Sequence, residues 1–304
     1  MGTLVLDIVQ FDHISMAVPA LQPQIEFLTK VLGFRFLEQY ESDEGYFAAN
    51  FDVPGRSALG WEVLMPNSPE SYVNRFLSGS SGPGLHHVAF QVRTAHEAVE
   101  AIRAEGIEPW GYRERPEVES GGGVIYLHPR SGGHGFLFQI YSGDPWHESQ
   151  AFEDDGEHTL GITAVNHLSH AHPSRAELGD YYERLFGMKT IYTSPEGDAA
   201  AGFNTRVLET NTGQLRFEIL EPTGPDSFVQ KFLDARGPSM HHVTFEVGDW
   251  ERAVSACAHH NIPLFGERTG ETDGAVWKEA FIHPKHTGGM LVQFFWEAKP
   301  GIWI

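Results

Sequence analysis

Leu85-His86-His87-Val88-Ala89-Phe90-Gln91-Val92 returns later in the chain as Met240-His241-His242-Val243-Thr244-Phe245-Glu246-Val247. Each stretch alternates like a strand and opens on paired histidines. Two other segments move with it. Pro69-Glu-Ser-Tyr-Val-Asn-Arg-Phe-Leu77 matches Pro225-Asp-Ser-Phe-Val-Gln-Lys-Phe-Leu233, and Tyr126-Leu-His-Pro-Arg130 matches Phe281-Ile-His-Pro-Lys285. All three recur at an offset of 155 or 156 residues. This is a tandem duplication, and it decides the fold class before any single element is assigned. The joint falls at Ser142 to His158, where Gly, Asp and Glu accumulate. The expected division is one module over 1–145, a linker over 146–158 and a second module over 159–304.

A weaker repeat lies inside each half. Phe11-Asp12-His13-Ile14-Ser15-Met16 is similar to Leu85-His86-His87-Val88-Ala89-Phe90, and Val165-Asn166-His167-Leu168-Ser169 to Met240-His241-His242-Val243-Thr244. Helical stripes follow over Gln24 to Leu32, Ala95 to Glu105, Leu178 to Phe186 and Arg252 to His259. The first three stop at Gly33, Gly106 and Gly187, and the last at Asn261, as helix C-termini commonly do. Strand-like runs broken by turn residues come next. The pattern reads as β-α-β-β-β, about 75 residues long, four times over. The expected class is α+β: two tandem modules, each of paired βαβββ units that form a curved mixed sheet around a metal.

Four positions recur in each half. They are His13, Glu62, His87 and Gln139, and then His167, Glu218, His242 and Gln293. The spacings are 49, 25 and 52 residues in the first half and 51, 24 and 51 in the second. If two units pair about a pseudo-twofold, their first and last strands line one concave face, and alternation aims every second side chain into it. Glu218 and Gln293 sit inside apolar strands, where a carboxylate and an amide need partners. A single strand His or Glu is ordinarily a satisfied residue. Eight at matched spacing point to divalent-metal ligands instead. Either histidine of each pair could face inward, and the register with His13 and His167 selects His87 and His242. His128 and His283, each before a proline, rank next as pocket residues. The donor mix of imidazole, carboxylate and amide suits Co, Ni, Zn, Fe or Mn and argues against a thiolate site.

The bulk properties exclude other classes. The chain has 304 residues and a formal charge of −20, with no Lys- or Arg-rich stretch. Nucleic acid and anionic membrane are therefore poor partners. The single cysteine, Cys257, forms no internal disulfide and reads as a buried structural thiol. Residues 1–10 lack a signal-peptide pattern, and no apolar run reaches membrane-spanning length, so a cytoplasmic location is expected.

These motifs resemble the vicinal oxygen chelate superfamily, which groups glyoxalase I, methylmalonyl-CoA epimerase, extradiol dioxygenases and bleomycin- and fosfomycin-resistance proteins. The resemblance covers nearly all of both halves. Pro225 to Leu233, Gly237-Pro-Ser-Met-His-His-Val-Thr-Phe-Glu-Val247 and His283-Pro-Lys-His-Thr-Gly-Gly-Met-Leu-Val-Gln293 are similar to the epimerase branch. The resemblance implies a divalent metal, a small substrate that chelates it through adjacent oxygens, and a metal-stabilised enolate. It places the ligands at His13, Glu62, His87 and Gln139 and at His167, Glu218, His242 and Gln293. Two features depart from the epimerase. It is usually a single module, and its ligand order is His, Gln, His, Glu, so Glu and Gln are exchanged here. The exchange moves the basic carboxylate to Glu62 and Glu218. The epimerase's second base precedes a glycine, a place taken by Glu44 before Gly45 and Glu196 before Gly197.

The expected function is thus a metal-dependent isomerase, epimerase or related lyase on a small carbonyl or acyl-thioester substrate. A non-haem Fe(II) ring-cleaving dioxygenase is the first alternative, since tandem modules and two His with one carboxylate fit that branch. A non-catalytic small-molecule binder is the second, with Trp61, Phe138, Tyr141, Phe294 and Trp296 as lining. The expected partners are a small molecule and, for the subunit arrangement, a homodimer.

Overall fold

The computed structural model describes residues 5–79, 82–115, 122–196 and 202–303. The first half runs β1 (Ile8–Ala17), α1 (Leu21–Lys30), β2 (Arg35–Ser42), β3 (Tyr46–Asp52), β4 (Gly60–Pro66), α2 (Val73–Leu77), β5 (Gly84–Val92), α3 (Ala95–Ala104), β6 (Trp110–Arg115), β7 (Gly122–Leu127) and β8 (Leu137–Tyr141). The second half repeats the series as β9 (Ile162–Ala171), α4 (Arg175–Phe186), β10 (Lys189–Thr193), β11 (Phe203–Glu209), β12 (Arg216–Pro222), α5 (Phe228–Arg236), β13 (Ser239–Val247), α6 (Trp250–His259), β14 (Leu264–Thr272), β15 (Ala275–Ile282) and β16 (Leu291–Glu297). Each half builds one eight-stranded mixed sheet. The orders are β2-β3-β4-β1-β5-β8-β7-β6 and β10-β11-β12-β9-β13-β16-β15-β14. The α+β class with tandem βαβββ units is what the duplication implied.

Local chemistry sets the helix ends. The Thr94 and Ser174 hydroxyls accept the backbone N–H of Glu97 and Glu177, and the Asp249 carboxylate accepts that of Arg252. The Ser174 cap starts α4 at Arg175, three residues before the apolar stripe begins. The left-handed C-terminal stop falls on Gly187 at φ +63° and, without glycine, just past α6 on Asn261 at φ +55°. Pro23 sits in the first turn of α1, where a missing N–H costs nothing.

Register places the functional side chains. In the second βαβββ unit of each half the first and last strands pair in parallel, with Ala89 opposite Gln139 on β5–β8 and Thr244 opposite Gln293 on β13–β16. Alternation therefore puts His87 with Gln139 and His242 with Gln293, and sends His86 and His241 to the other face. On β3–β4, Asn50 stands opposite Glu62; on β11–β12, Val207 stands opposite Glu218. The repeated Pro69–Leu77 and Pro225–Leu233 segments contribute the short helices α2 and α5. α2 covers Ala17, Ala48 and Leu64 through Val73, and α5 covers Ala171 and Leu220 through Val229 and Leu233. Each thereby closes one end of the face that carries the glutamate.

By Cα proximity the chain forms two compact units. One holds Met1–Ile14, His86–Glu148 and Leu168–His241, and the other Ser15–Leu85, Ser149–His167 and His242–Ile304. Within the first, Phe90, Phe138, Phe186, Tyr182 and Phe217 form one aromatic core, with centroids 6.0 Å apart for Phe90–Phe138, 5.2 Å for Phe138–Phe186 and 5.4 Å for Tyr182–Phe217. Within the second, Phe34, Trp61 and Phe245 pack together, 5.5 Å apart for Phe34–Trp61 and 6.0 Å for Phe34–Phe245. Each core thus draws on both halves of the sequence, and each buried ring contributes about 1.5–3 kcal/mol.

Candidate functional site

β1 supplies His13 and, two residues on, Ser15 on the same face. Both are buried. The His13 Nδ1–H donates to Asp12 Oδ1 at 2.7 Å, which leaves Nε2 as a lone pair. That lone pair faces His87 Nε2 at 3.2 Å. His87 is braced on its other side by His86, Nδ1 to Nδ1 at 2.8 Å. Burial holds the His87 imidazole far below its ordinary pKa, so it stays neutral, the form that binds metal. Gln139 hydrogen-bonds to His87, and its Nε2 donates to the Tyr126 hydroxyl at 3.0 Å. Ser15 Oγ donates to Glu62 Oε2 at 2.9 Å. The ligand atoms of His13, Glu62 and His87 all lie within 4.8 Å of one another.

The second half repeats this with changes. His167 Nδ1–H donates to Asn166 Oδ1 at 2.9 Å. Ser169 Oγ and Thr205 Oγ1 donate to the two Glu218 oxygens at 2.6 and 3.1 Å. His242 Nε2 contacts Gln293 Oε1 at 2.9 Å. The ligand atoms of His167, Glu218 and His242 also fall within 4.8 Å of one another. Gln293 is oriented from behind: its Nε2 donates to Glu279 Oε2 at 3.1 Å, which turns its oxygen toward His242. Glu279 in turn accepts from Trp303 Nε1 at 2.9 Å and is ion-paired with Arg268. Thr244 Oγ1 stands 2.9 Å from both His167 Nε2 and Gln293 Oε1.

A divalent ion fits both sets. Two imidazole nitrogens sharing a cation, each about 2.1 Å from it, stand roughly 3.0–3.4 Å apart, and the His13–His87 separation falls in that range. Buried carboxylates beside imidazoles also need a cation or proton to offset their charge. On β3, the buried Asn50 Oδ1 has no hydrogen-bond partner, and it faces the same side as Glu62.

Several residues of this constellation were not among the sequence expectations. Asp12 is the first. Burial pushes its pKa up, but His13, Tyr141 and His147 outweigh that and hold it below the ordinary carboxylate value. Its Oδ2 accepts from the Tyr141 hydroxyl and from the backbone N–H groups of Trp146 and His147, the latter two at 3.2 Å. A further cluster of Asp12, His13 and His147 is therefore explained as support for His13 rather than as another ion site. The repeated tryptophans are the second group. Trp146 stacks on Tyr141 at 3.9 Å and approaches His13, while Trp303 stacks on Phe295 at 4.1 Å and on His167 at 5.7 Å. Trp146 lies in the stretch expected to be linker, so that stretch takes part in the site. The signal was present: Asp12/Asn166, Ser15/Ser169 and Trp146/Trp303 correspond at offsets of 154, 154 and 157 residues, beside the 155 or 156 of the repeat.

The other expected residues are placed elsewhere. Glu44 is exposed in the turn joining β2 and β3, where its N–H meets Ser42 Oγ at 3.1 Å. Glu196 is exposed after β10 and paired with Arg175 at 2.5 Å, and Gly197 lies outside the described residues. The structure brings neither into a ligand cluster. The Nδ1 atoms of His128 and His283 accept the N–H groups of Arg130 and Lys285, which fixes two turns. Cys257 is buried, and burial pushes its thiol up to about 12. Among the described residues no helix is long and apolar enough to cross a membrane.

With this geometry in hand, comparison with known proteins gives the class. A family profile for the glyoxalase/bleomycin resistance protein/dioxygenase superfamily matches residues 12–126 and again 166–281. The chain belongs to this superfamily, in two tandem modules. Methylmalonyl-CoA epimerase of Dictyostelium discoideum is 29% identical over 136 residues, 44% of this chain and 78% of the relative. A mutant of 4-hydroxymandelate synthase from Streptomyces coelicolor shares the fold at TM-score 0.70 and 13% identity, covering 96% of this chain and 94% of that one. The Mn(II)-bound glyoxalase from Novosphingobium aromaticivorans does so at TM-score 0.60 and 16% identity, covering 97% and 84%.

Proposed function

We propose that the chain is a divalent-metal-dependent isomerase or epimerase, or a related lyase, acting on a small carbonyl or acyl-thioester substrate. The observation that carries this reading is the buried glutamate in each cluster, set beside two histidines and steadied by a serine hydroxyl. His13, Glu62, His87 and Gln139 would hold one ion, and His167, Glu218, His242 and Gln293 another. A bound ion would supply Lewis-acid stabilisation of an enolate oxygen. Co, Ni, Zn, Fe and Mn all suit these donors.

The protein's own groups do the rest. Glu62 or Glu218 takes the substrate α-proton and returns it. The serine hydroxyl on one oxygen of each carboxylate fixes which lone pair meets the substrate. Trp146 and Trp303 shield the first histidine of each set. The similarity to methylmalonyl-CoA epimerases supports a thioester as the first substrate to try. Glu44 and Glu196 enter as second proton-transfer groups only if substrate binding carries their turns inward.

The test is α-proton exchange of methylmalonyl-CoA in D2O, followed by NMR. The wild type should exchange, and the Glu62→Gln/Glu218→Gln double variant should keep its metal and lose exchange. Full exchange in that variant would remove the glutamates from the proposal. One observation favours a second reading. Two histidines and one carboxylate also form the ligand set of non-haem Fe(II) dioxygenases. Oxygen uptake by the Fe(II)-loaded protein with a catechol would favour it.

A further inference from the structure

We infer that the corner where α1 meets the turn after α6 is a binding site for a small organic monocarboxylate, apart from both metal clusters. The corner holds a cavity of about 300 Å³. Glu26, Phe27 and Lys30 line it from α1, His260 and Ile262 from the turn, and His286 from the connection between β15 and β16. All of its lining residues fall in one compact unit, and none belongs to a ligand cluster. The inference goes beyond the proposed function and does not depend on it.

The duplication supplies the control. Residues 26–34 correspond to 180–188, 256–262 to 101–107 and 283–290 to 128–135, and those counterparts form the matching corner of the other compact unit. Three contacts close that corner. Arg184 on α4 donates from Nε to Glu105 Oε2, just past α3, at 3.1 Å, and its Nη2 stands 3.1 Å from the same oxygen. The Tyr181 hydroxyl donates to the Gly132 carbonyl at 2.7 Å. The His134 ring packs on Tyr181 with centroids 4.6 Å apart, and it does so from a left-handed backbone at φ +49° that few residues other than glycine adopt. The cavity-bearing corner has none of the three groups. His260 stands in place of Glu105, Phe27 in place of Tyr181 and Gly289 in place of His134. Lys30 keeps the positive charge of Arg184. The cation is retained, and the carboxylate that met it is gone.

The missing group defines the occupant. A carboxylate from outside can meet Lys30 where the chain no longer supplies one. An ammonium has three N–H donors, so the contact of Lys30 with Glu26 at 3.0 Å leaves others for a second acceptor. His286 offers a further donor. Its Nε2 is buried with no hydrogen-bond partner among the described residues, a costly state that a ligand oxygen relieves when this nitrogen carries the proton. Glu26 sets the charge of the guest. It offsets Lys30, so the corner accepts one negative charge and repels a phosphate dianion. Phe27, Val31 and Ile262 are buried side chains that give a short alkyl chain an apolar floor. The volume is at the small end of ligand pockets and suits a molecule of a few carbons. Among the described residues, Glu26, His260 and His286 do not converge as the ligand clusters do, which argues against a metal ion here.

The test is a titration of the purified protein, carrying isotope-labelled histidine, with sodium butyrate. It is followed by NMR at the imidazole resonances of His260 and His286, which His260→Gln and His286→Gln assign. Reading these two residues separates the corner from any carboxylate taken up elsewhere. Both resonances should shift and saturate, with a Kd on the order of 1 mM for so small a ligand. Butyramide, which has the same shape without the charge, and inorganic phosphate should bind more weakly. Lys30→Met should weaken butyrate binding by about 10-fold, as loss of a charge-assisted hydrogen bond does. His260→Glu restores the chain's own carboxylate and should abolish the shift at His286. Should His260→Glu fail to fold by circular dichroism, Lys30→Met decides alone, because that side chain is exposed. No saturable shift with butyrate, equal affinity for butyramide, tighter binding of phosphate, or unchanged butyrate affinity in Lys30→Met or in folded His260→Glu would each overturn the inference. Each of these results would leave the proposed function standing.

Discussion

The two modules keep the same four candidate ligand positions and differ in several of the groups behind them. His13 corresponds to His167, Glu62 to Glu218, His87 to His242 and Gln139 to Gln293. Behind them, Asp12 becomes Asn166, Ala89 becomes Thr244, Asn50 becomes Val207 and Tyr46 becomes Phe203. The first module's glutamate has polar company on β2 and β3. Burial and the Glu62 charge push Tyr40 up to about 12, so it remains a neutral phenol that can donate a proton. The second module fills the matching region with structure: the Arg175 Nη1 donates to Ser194 Oγ at 2.8 Å and to the Thr205 carbonyl at 3.0 Å, and its Nη2 pairs with Glu196. A duplicated site thus diverges in its supporting groups while its ligands stay fixed.

That comparison can be broken by measurement. The largest expected effect separates the glutamates. Glu62→Gln alone should lower α-proton exchange by about 10²–10⁴-fold, as loss of a general base does, while Glu218→Gln should cost far less. Equal losses would make the copies functionally alike. Next, the aromatic cores should be equally demanding. Phe138→Ala in one compact unit and Phe245→Ala in the other should each destabilise the protein by about 3–5 kcal/mol in urea unfolding. A clearly smaller loss for either would show a softer unit. Then the backing residue can be exchanged: Asn166→Asp should tighten Co(II) binding at the second set, within the 10–100-fold typical of such partners. An unchanged titration would show that the group behind the leading histidine does not tune the set.

The smallest effect concerns acid. His170 on β9 occupies the place of Met16 on β1. Its Nδ1 accepts from the Tyr182 hydroxyl at 2.7 Å and its Nε2–H donates to the His134 carbonyl at 2.8 Å. Burial lowers its pKa to about 3, opposed by the hydrogen bond to the His134 carbonyl and aided by the nearby His172 and His134 side chains. The unfolded chain binds this proton near pH 6.5 and the folded chain does not. Stability is therefore retained above about pH 6.5 and lost as pH falls toward 3, at up to about 1.4 kcal/mol per pH unit. His170→Met, which imports the first module's residue, should flatten the fall in Tm between pH 6.5 and 4. An unaltered slope would assign the acid sensitivity to other buried histidines.

Much of this was legible in the sequence because it rests on periodicity. The duplicated Leu85–Val92 stretch gave the tandem fold, and strand alternation separated His87 from His86. The helix stops at Gly187 and Asn261 followed from local backbone chemistry. What stayed hidden depends on tertiary placement. Asp12 looked like any polar residue beside a histidine until Tyr141, Trp146 and His147 converged on it. Trp146 looked like linker. Thr244 looked like an ordinary strand residue, and only its distances to His167 and Gln293 give it a role. The cores were hidden for the same reason, since Phe90 and Phe138 pack with Phe186 and Phe217 from the other half of the chain.

That interleaving has a consequence for the covalent joint itself. Each half supplies part of both compact units, so a half cut free near residue 150 would carry an uncovered aromatic surface. Two separate halves must find each other by diffusion, and their folding then depends on dilution. Joining them in one polypeptide replaces that second-order encounter with an intramolecular one, at effective concentrations on the order of millimolar. The duplication thereby makes the meeting of the two halves independent of protein concentration. It also frees each copy to drift apart, because a residue changed in one half no longer changes in its mate.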